Sequence, residues 1–307
     1  MGATMIRRAS VLSMLVTLMS ASVHAQPAPA PQIWSSHPEA QQLMVDGEAL
    51  FDAEKFDEAL VKYQAALQLD PGLYEAAVFS GDVFLRHGDL AQAQMWYERA
   101  IAINPSRETA YRYSATPMMR QQQYEQARDR YVEAYILEPY NRLTVGGLSQ
   151  WAQTTKTRIA HPAIEIPVKL SLNANGTMTS TVDPRILEPA GVADGSSLWV
   201  GYGLQRTAWL VKLFAERFPD EKVYRHSLTE EVDALRSVVR AAVANIKQLS
   251  PSLERLRKLD EEGLLEAYVL LARADQGIAA DYPNYLREHR DTLRRYVTEY
   301  MLMGGGR

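Results

Sequence analysis

The chain has 307 residues, of which 47% are hydrophobic and 23% are charged, and its formal net charge is −4. These values are typical of a globular chain, and the mild acidity argues against general nucleic-acid binding, because neutralising phosphates requires clustered Lys and Arg. There is no cysteine, which excludes disulfides, thiolate metal ligands and a cysteine nucleophile.

Residues 1–25 have the features of a secretory signal peptide, with two arginines before a short apolar run over residues 9–21. The run is shorter than the roughly 20 residues that span a bilayer, so we expect cleavage after Ala25 rather than an uncleaved anchor helix. This predicts a periplasmic or secreted protein that is not embedded in a membrane. Residues 26–39, rich in Pro and Ala, predict a stiff linker.

The next segment repeats itself with a period of 34 residues, in the units 40–73, 74–107 and 108–141. Each unit has a small residue, then two alanines seven residues apart with a tyrosine between them, and then a proline. In chain order these positions are Gly47, Gly81 and Ala115; Ala59, Ala93 and Ala127; Tyr63, Tyr97 and Tyr131; Ala66, Ala100 and Ala134; Pro71, Pro105 and Pro139. The pattern resembles the tetratricopeptide repeat family, in which each unit is two antiparallel helices and the units stack into an α-solenoid.

The residue types fit that arrangement physically. Small side chains let two helix axes approach closely, and a proline lacks the amide hydrogen that would continue a helix. We expect the tyrosines to fill the gap between adjacent hairpins. Three stacked hairpins can bury the apolar faces that one hairpin cannot. Residues 40–157 are therefore predicted to form the array, with a helix from Arg142 capping it through Leu143, Leu148 and Trp151.

The resemblance also implies a ligand surface. In this family the first helix of each hairpin lines a concave surface that accepts peptides. The matching positions here are Met44, Glu48, Phe51 and Asp52; Val78, Asp82, Leu85 and Arg86; Arg112, Thr116, Met119 and Arg120. Family members that bind chaperone tails clamp a terminal carboxylate with Lys and Asn, where this chain has Met44, Glu48 and Asp82, so such a ligand is not implied. We expect a protein or peptide partner of mixed charge; the alternative is that these charges form only a solvated face.

Beyond residue 158 the pattern changes. Apolar and polar residues alternate from Ile164 to Leu172, which predicts a strand with one buried face, and Asn175-Gly176 predicts a turn. A two-residue turn would set apolar residues beside threonines, whereas a three-residue loop (174–176) pairs Leu172 with Met178 and brings the apolar residues together. We therefore expect a hairpin near 164–182 with one face packed on the C-terminal helices. That face comprises Ile166, Val168, Leu170, Leu172, Met178 and Val182.

The remainder of the chain is predicted to be helical. An apolar stripe at helical spacing, which we expect to lie in the core rather than at a ligand site, comprises Trp199, Tyr202, Arg206, Trp209 and Leu213. Ser227 followed by Glu230 predicts a capping box at the start of the next helix. Further helices are expected from Ser250-Pro251, over residues 264–274 and over residues 284–303.

His226 beside Ser227, with Glu230 and Glu231, is the best candidate for a catalytic group. A helix cap explains Ser227 and Glu230 equally well, and adjacent residues rarely face each other usefully in catalysis. No histidine pair has the i, i+4 spacing of a zinc protease, and no Gly-rich phosphate loop occurs. We therefore assign no catalytic residue, metal site or cofactor.

Together these features predict an all-α-dominated fold: a three-repeat α-solenoid followed by a helical domain over residues 158–307 that contains one small antiparallel β-hairpin. The predicted function is that of an exported interaction scaffold using the concave surface. The alternatives are a hydrolase of unknown substrate in the C-terminal half and a structural subunit of an envelope complex.

Overall fold

The computed structural model describes residues 32–173 and 176–302 and is mostly helical. Seven consecutive helices form its N-terminal part: α1 (Pro38–Asp52), α2 (Phe56–Leu69), α3 (Tyr74–His87), α4 (Leu90–Ile103), α5 (Glu108–Arg120), α6 (Tyr124–Leu137) and α7 (Arg142–Thr155). The first six pair as three antiparallel hairpins, one for each 34-residue unit, which confirms the predicted repeats. The predicted signal peptide and most of the linker lie outside the described residues.

Buried tyrosines join each hairpin to the next. The ring of Tyr97 lies against Gly81 of its own hairpin and 6.1 Å from the ring of Tyr113 in the following one, and Tyr63 takes the equivalent place one unit earlier. The alanines of the repeat have no exposed surface, as close helix contact requires: Ala59, Ala66, Ala93, Ala100, Ala127 and Ala134. The predicted role of the small and aromatic positions is thus confirmed.

Substituting Gly81 by alanine is expected to destabilise the array. The new Cβ would lie 2.6 Å from the ring of Tyr97, which is fully buried and cannot simply turn away. Overpacking of this kind costs about 1–3 kcal/mol, which outweighs a gain of up to about 1 kcal/mol in helix propensity. The matched control is Gly146→Ala in α7, where nothing lies within 4 Å and stability should rise or stay unchanged. Urea unfolding of both variants tests this; equal midpoints would contradict the packing described.

Helix α7 caps the array. Leu148 and Trp151 are buried, and Trp151 Nε1 donates a hydrogen bond to the Tyr124 carbonyl oxygen at 2.7 Å. Leu143 is 58% exposed, so its predicted contact with the array is wrong. The buried position one turn before Leu148 is Thr144, because residues four apart share a helix face.

The hairpin has the predicted register. Strands β1 (Val168–Leu172) and β2 (Met178–Val182) pair antiparallel, with Leu172 opposite Met178 and Val168 opposite Val182. Gly176 has φ +81°, the left-handed conformation expected at the end of the three-residue loop, whose first two residues lie outside the described part of the chain.

The predicted buried face of the hairpin is confirmed except at its turn end. Val168 is buried, and Ile166, Leu170 and Val182 pack partly buried against the C-terminal core. Leu172, next to the turn, stays 50% exposed, so the covered part of the strand ends before it and the prediction was wrong there.

Helical elements fill the rest of the described chain. The α-helices are α8 (Pro189–Ala193), α9 (Trp199–Ala208), α10 (Phe214–Arg217), α11 (Leu228–Asn245), α12 (Pro251–Glu261), α13 (Leu265–Tyr268), α14 (Gln276–Ala279) and α15 (Tyr282–Tyr296). Two 3₁₀ turns, Pro184–Leu187 and Ser196–Leu198, come just before α8 and α9. Three π-helical turns, which the sequence did not predict, follow α9, α13 and α15 at Trp209–Leu213, Val269–Arg273 and Val297–Met301. The predicted apolar stripe runs from α9 into the following π turn and is buried at Trp199, Tyr202, Arg206 and Trp209, whereas its last residue, Leu213, is half-buried.

The third hairpin and the C-terminal helices share one hydrophobic core, which includes Tyr131, Leu148, Leu235 and Tyr296. Tyrosine hydroxyls reinforce the junction from both sides. Tyr282 donates to the Ile136 carbonyl oxygen at 2.6 Å, and Tyr140 donates to the Leu270 carbonyl oxygen at 2.8 Å. The array is therefore anchored at its third hairpin. Within the described ranges, no helix is both long and apolar enough to cross a membrane.

Candidate functional site

Six of the twelve residues projected onto the ligand surface line one cavity of about 430 Å³ between α1, α3 and α5, which we call the groove cavity. Its lining residues are Phe51, Asp82, Leu85, Arg86, Tyr113, Thr116 and Arg120. The first helix of each hairpin contributes side chains to its wall, because positions 34 residues apart lie on the same side of a stacked array. The spacing that defines the repeat thus also brings these side chains together.

The other six projected residues lie outside this cavity. Asp52 is exposed on α1, whereas Val78 is buried in the array core, so its predicted placement on the ligand surface was wrong. Met44 has no exposed surface and packs in the array core, so its placement on the ligand surface is corrected. Met119 is partly buried against the core shared with the C-terminal helices. Glu48 is bonded to a tyrosine, and Arg112 is held by Glu108, with Nε 2.9 Å from the carboxylate.

Tyrosine–carboxylate pairs recur along the groove. Tyr63 Oη donates to Glu48 Oε1 at 2.5 Å, and Tyr97 Oη donates to Asp82 Oδ1 at 2.6 Å, one repeat later. Each carboxylate therefore has a fixed partner from the second helix of its own hairpin. This coupling of groove and core could have been found from the sequence, since each tyrosine follows its acid by fifteen residues.

Burial changes the ionisation of these acids. Loss of water raises the pKa of the Asp82 carboxyl to about 6; the Tyr97 hydrogen bond opposes this rise and the Glu48 charge adds to it. Burial also raises the pKa of Glu48, against the opposing hydrogen bond from Tyr63. The negative charge at the centre of the groove is therefore smaller at mildly acidic pH than the sequence suggests.

Asp82→Asn is expected to remove a pH-dependent destabilisation. Between about pH 4 and pH 6 the folded chain holds a proton on Asp82 that the unfolded chain has released, so stability falls as pH rises through this window. Asparagine keeps an oxygen for the Tyr97 hydroxyl but carries no charge. Its gain in unfolding free energy over the native chain should therefore be larger at about pH 7.5 than at about pH 5, by on the order of 1 kcal/mol. Parallel pH profiles of the two proteins, measured by urea unfolding, would contradict this.

Two groove arginines have no ion-pair partner anywhere in residues 32–173 or 176–302. The Arg86 guanidinium lies 6.0 Å from the Phe51 ring centre, and Arg120 Nη1 makes a long 3.5 Å hydrogen bond to the Leu85 carbonyl oxygen. Both side chains are exposed, whereas most other arginines of the array are paired with acids. The groove cavity thus has two available positive charges beside apolar walls.

Tyr113 is the groove residue that sequence reasoning missed. Its ring lies 6.1 Å from Tyr97 and 4.6 Å from the Arg112 guanidinium carbon. The available signal was Phe79, an aromatic residue 34 positions earlier, whose ring lies against Tyr63 as Tyr113 lies against Tyr97. Tyr113 adds an aromatic wall to the cavity.

The structure gives no support to a Ser227–His226 hydrolase. The His226 ring contacts two carboxylates, with Nδ1 2.7 Å from Asp275 Oδ2 and Nε2 3.1 Å from Glu231 Oε2. Ser227 is fully buried, and its Oγ accepts a hydrogen bond from the Glu230 amide at 3.2 Å. Ser227 is therefore a helix cap, the role that the capping-box pattern predicted.

Glu230 and Glu231 belong to a buried ionic cluster around Arg206. Arg206 Nε lies 2.6 Å from Glu230 Oε1, and its Nη1 lies 2.9 Å from Glu231 Oε2, which corrects the predicted return bond of Glu230 to the cap. Burial alone would raise the pKa of Glu231, but the His226 hydrogen bond and the charges of Arg206 and Arg273 hold it at about 2. The cluster joins α9 to α11 as a structural brace. Across the described chain, no group of three or more His, Asp and Glu side chains is arranged to hold a metal ion.

The sequence model of the tetratricopeptide repeat family matches residues 50–116, and no family model matches the C-terminal half. Similar solved structures include the first tetratricopeptide repeat domain of Spaghetti (RPAP3) bound to an HSP90 peptide, at 25% identity over 41% of this chain and 99% of that chain, with a TM-score of 0.37. The Sgt2 domain from Aspergillus fumigatus is 18% identical over 41% and 85%, with a TM-score of 0.38. The type III secretion chaperone SycD from Yersinia enterocolitica is 15% identical over 39% and 97%, with a TM-score of 0.37. No curated protein matches the chain.

Proposed function

We propose that the tetratricopeptide repeats of this chain bind an extended peptide, or a peptide-like segment of a partner protein, in the groove cavity. The observation that carries the proposal is the pair of unpaired arginines, Arg86 and Arg120, beside the apolar walls of Phe51, Leu85 and Tyr113. An isolated guanidinium at a concave apolar surface favours a carboxylate partner.

The groove charges specify the ligand further. The two arginines lie on α3 (Arg86) and α5 (Arg120), while Asp52 of α1 is exposed, with no ion pair within the described residues. Glu48 and Asp82 are already bonded to tyrosines. The matching ligand has an acidic side chain next to an apolar or aromatic one, with any basic residue toward α1.

A peptide-display selection tests this proposal. Random peptides would be selected on residues 26–307 and, in parallel, on the same protein with Arg86→Glu and Arg120→Glu. We expect the native protein to enrich peptides in which an acidic residue neighbours an apolar one, and the double variant to lose that enrichment. No enrichment on the native protein, or the same peptides on both proteins, would overturn the proposal.

We further propose that the protein acts outside the cytoplasm. Support comes from the sequence of residues 1–25, whose arginines, short apolar run and Ala25 fit a cleavable signal peptide. N-terminal sequencing of the protein from its native source should give a first residue of Gln26. A protein recovered from the cytoplasm with residues 1–25 intact would contradict export.

A further inference from the structure

A second cavity, of about 510 Å³, lies in the C-terminal half, far along the chain from the groove. Four separate segments enclose it: residues 163–167, the 3₁₀ turn that begins at Pro184, the stretch 190–199 and the first turn of α12. We call it the α12 cavity. No residue of the repeats or of the groove cavity lines it.

Ser250 is the unusual residue of the α12 cavity. It precedes α12 in the N-cap position, yet its side chain makes no capping hydrogen bond, and its buried Oγ has no partner within the described residues. Only 8% of Ser250 is exposed, and the residue lines the cavity. Ser227, the N-cap residue of α11, is also buried but caps its helix. A buried hydroxyl without a partner is costly, and Ser250 belongs to the cavity wall, so a ligand bound there would supply the missing partner.

The surroundings of Ser250 favour an oxyanion. The uncapped start of α12, an eleven-residue helix, presents the positive end of the helix dipole. Arg255, one turn into α12, lines the same cavity and holds the Ala163 carbonyl oxygen with one nitrogen at 3.0 Å, which leaves its other nitrogens available. Ser252 adds a second hydroxyl to the wall.

Three acidic residues line the wall, and one of them is paired with an arginine. Asp183 forms an ion pair with Arg185 at 2.5 Å, and the hydrogen bonds from Arg185 hold its pKa at about 2. Asp194 Oδ1 accepts a hydrogen bond from the Ser196 amide at 2.9 Å. Glu165 is exposed and forms no ion pair in the described part of the chain. Its negative charge at the entrance of the cavity therefore repels an anionic ligand.

We propose that the α12 cavity binds the carboxylate or phosphate group of a small polar molecule, with Ser250 Oγ and the first turn of α12 holding the oxyanion and Arg255 pairing with its charge. The site gives the C-terminal half a ligand-binding role that is separate from the peptide groove.

Isothermal titration of residues 26–307 with inorganic phosphate and, separately, with N-acetylglycine tests the proposal and distinguishes the two sources of the oxyanion. We expect saturable binding of at least one probe, weakened about tenfold by Ser250→Ala and by Arg255→Gln, since each removes a hydrogen bond to a charged group. The control Arg257→Gln lies on the same helix but pairs with Glu254 and Glu261 outside the cavity, so binding should be unchanged.

Two further measurements distinguish a loss of binding from a loss of folding stability. Glu165→Gln should strengthen binding, because it removes the negative charge at the mouth. Ser250→Ala should leave the melting temperature unchanged or higher, whereas Ser227→Ala should lower it, since only Ser227 caps its helix. Absence of binding by both probes, or equal binding by the native protein and the Ser250→Ala and Arg255→Gln variants, would overturn the site.

Discussion

Replacing Arg206 by methionine is expected to lower the free energy of unfolding by about 3–5 kcal/mol. Glu230 has no exposed surface and Glu231 has 1%, and Arg206 pairs with both. Methionine fills similar space but leaves Glu230 with only the Tyr224 hydroxyl, at 2.8 Å. The cost is large because an unpaired carboxylate would remain in an environment without water.

Two comparisons isolate the charge effect. Arg257→Met removes ion pairs with Glu254 and Glu261 at the surface, so it should cost at most about 1 kcal/mol. Adding Glu230→Gln to Arg206→Met should recover part of the loss, since the unpaired charge is then gone. If Arg206→Met and Arg257→Met shift the urea midpoint equally, the cluster does not brace α9 against α11 as described.

Reversing both groove arginines is expected to weaken the selected acidic peptide about 100-fold, as like charges then face each other at close range. Arg86 and Arg120 form no ion pair in the described residues, so reversal breaks none. Stability should still fall somewhat, because the Arg86 charge favours the ionised form of Asp82 in the same cavity. The measurement is fluorescence polarisation of a labelled peptide at two salt concentrations. The native affinity should fall with added salt, because exposed charges are screened.

The matched control for this experiment is Arg99→Glu. Arg99 is also exposed, but it belongs to α4 and lies over Trp96 of its own helix, 5.1 Å from the ring centre. It changes the net charge by the same amount per residue without touching the groove. Equal weakening by Arg99→Glu and by either groove substitution would show that only net charge matters.

The parts of the fold that the sequence predicted are those specified by local pattern. The 34-residue period predicted small residues at close helix contacts and tyrosines between hairpins, as found at Gly81 and Tyr97. Alternation and a glycine able to adopt φ > 0 predicted the pairing of Leu172 with Met178. The exposure of Leu172 could not be predicted, because it depends on where the supporting helix ends. Burial is a property of neighbours distant in the chain.

The side chains of the candidate site were likewise predicted only where a local sequence pattern specifies their position. Repeat spacing brought Asp82 and Arg86 to one surface with Arg120, yet it also projected Met44 there, since helical position alone does not reveal which side chains turn into the core. The Arg206 cluster joins residues more than twenty positions apart in a segment without repeats, so no sequence periodicity predicts these contacts. Arg206 also explains why the Glu230 side chain does not accept a hydrogen bond from the backbone amide of Ser227. The carboxylate pairs with the buried guanidinium instead.

The central claim is that the peptide lies in the groove cavity, and photo-cross-linking locates it most directly. A benzophenone would replace the apolar residue beside the acidic one in the selected peptide, and cross-linked sites would be read by mass spectrometry. Cross-links to α3 and α5 around Leu85 and Tyr113, lost with Arg86→Glu and Arg120→Glu, are the result expected. Cross-links confined to α2, α4 and α6 or to the C-terminal helices would contradict the account.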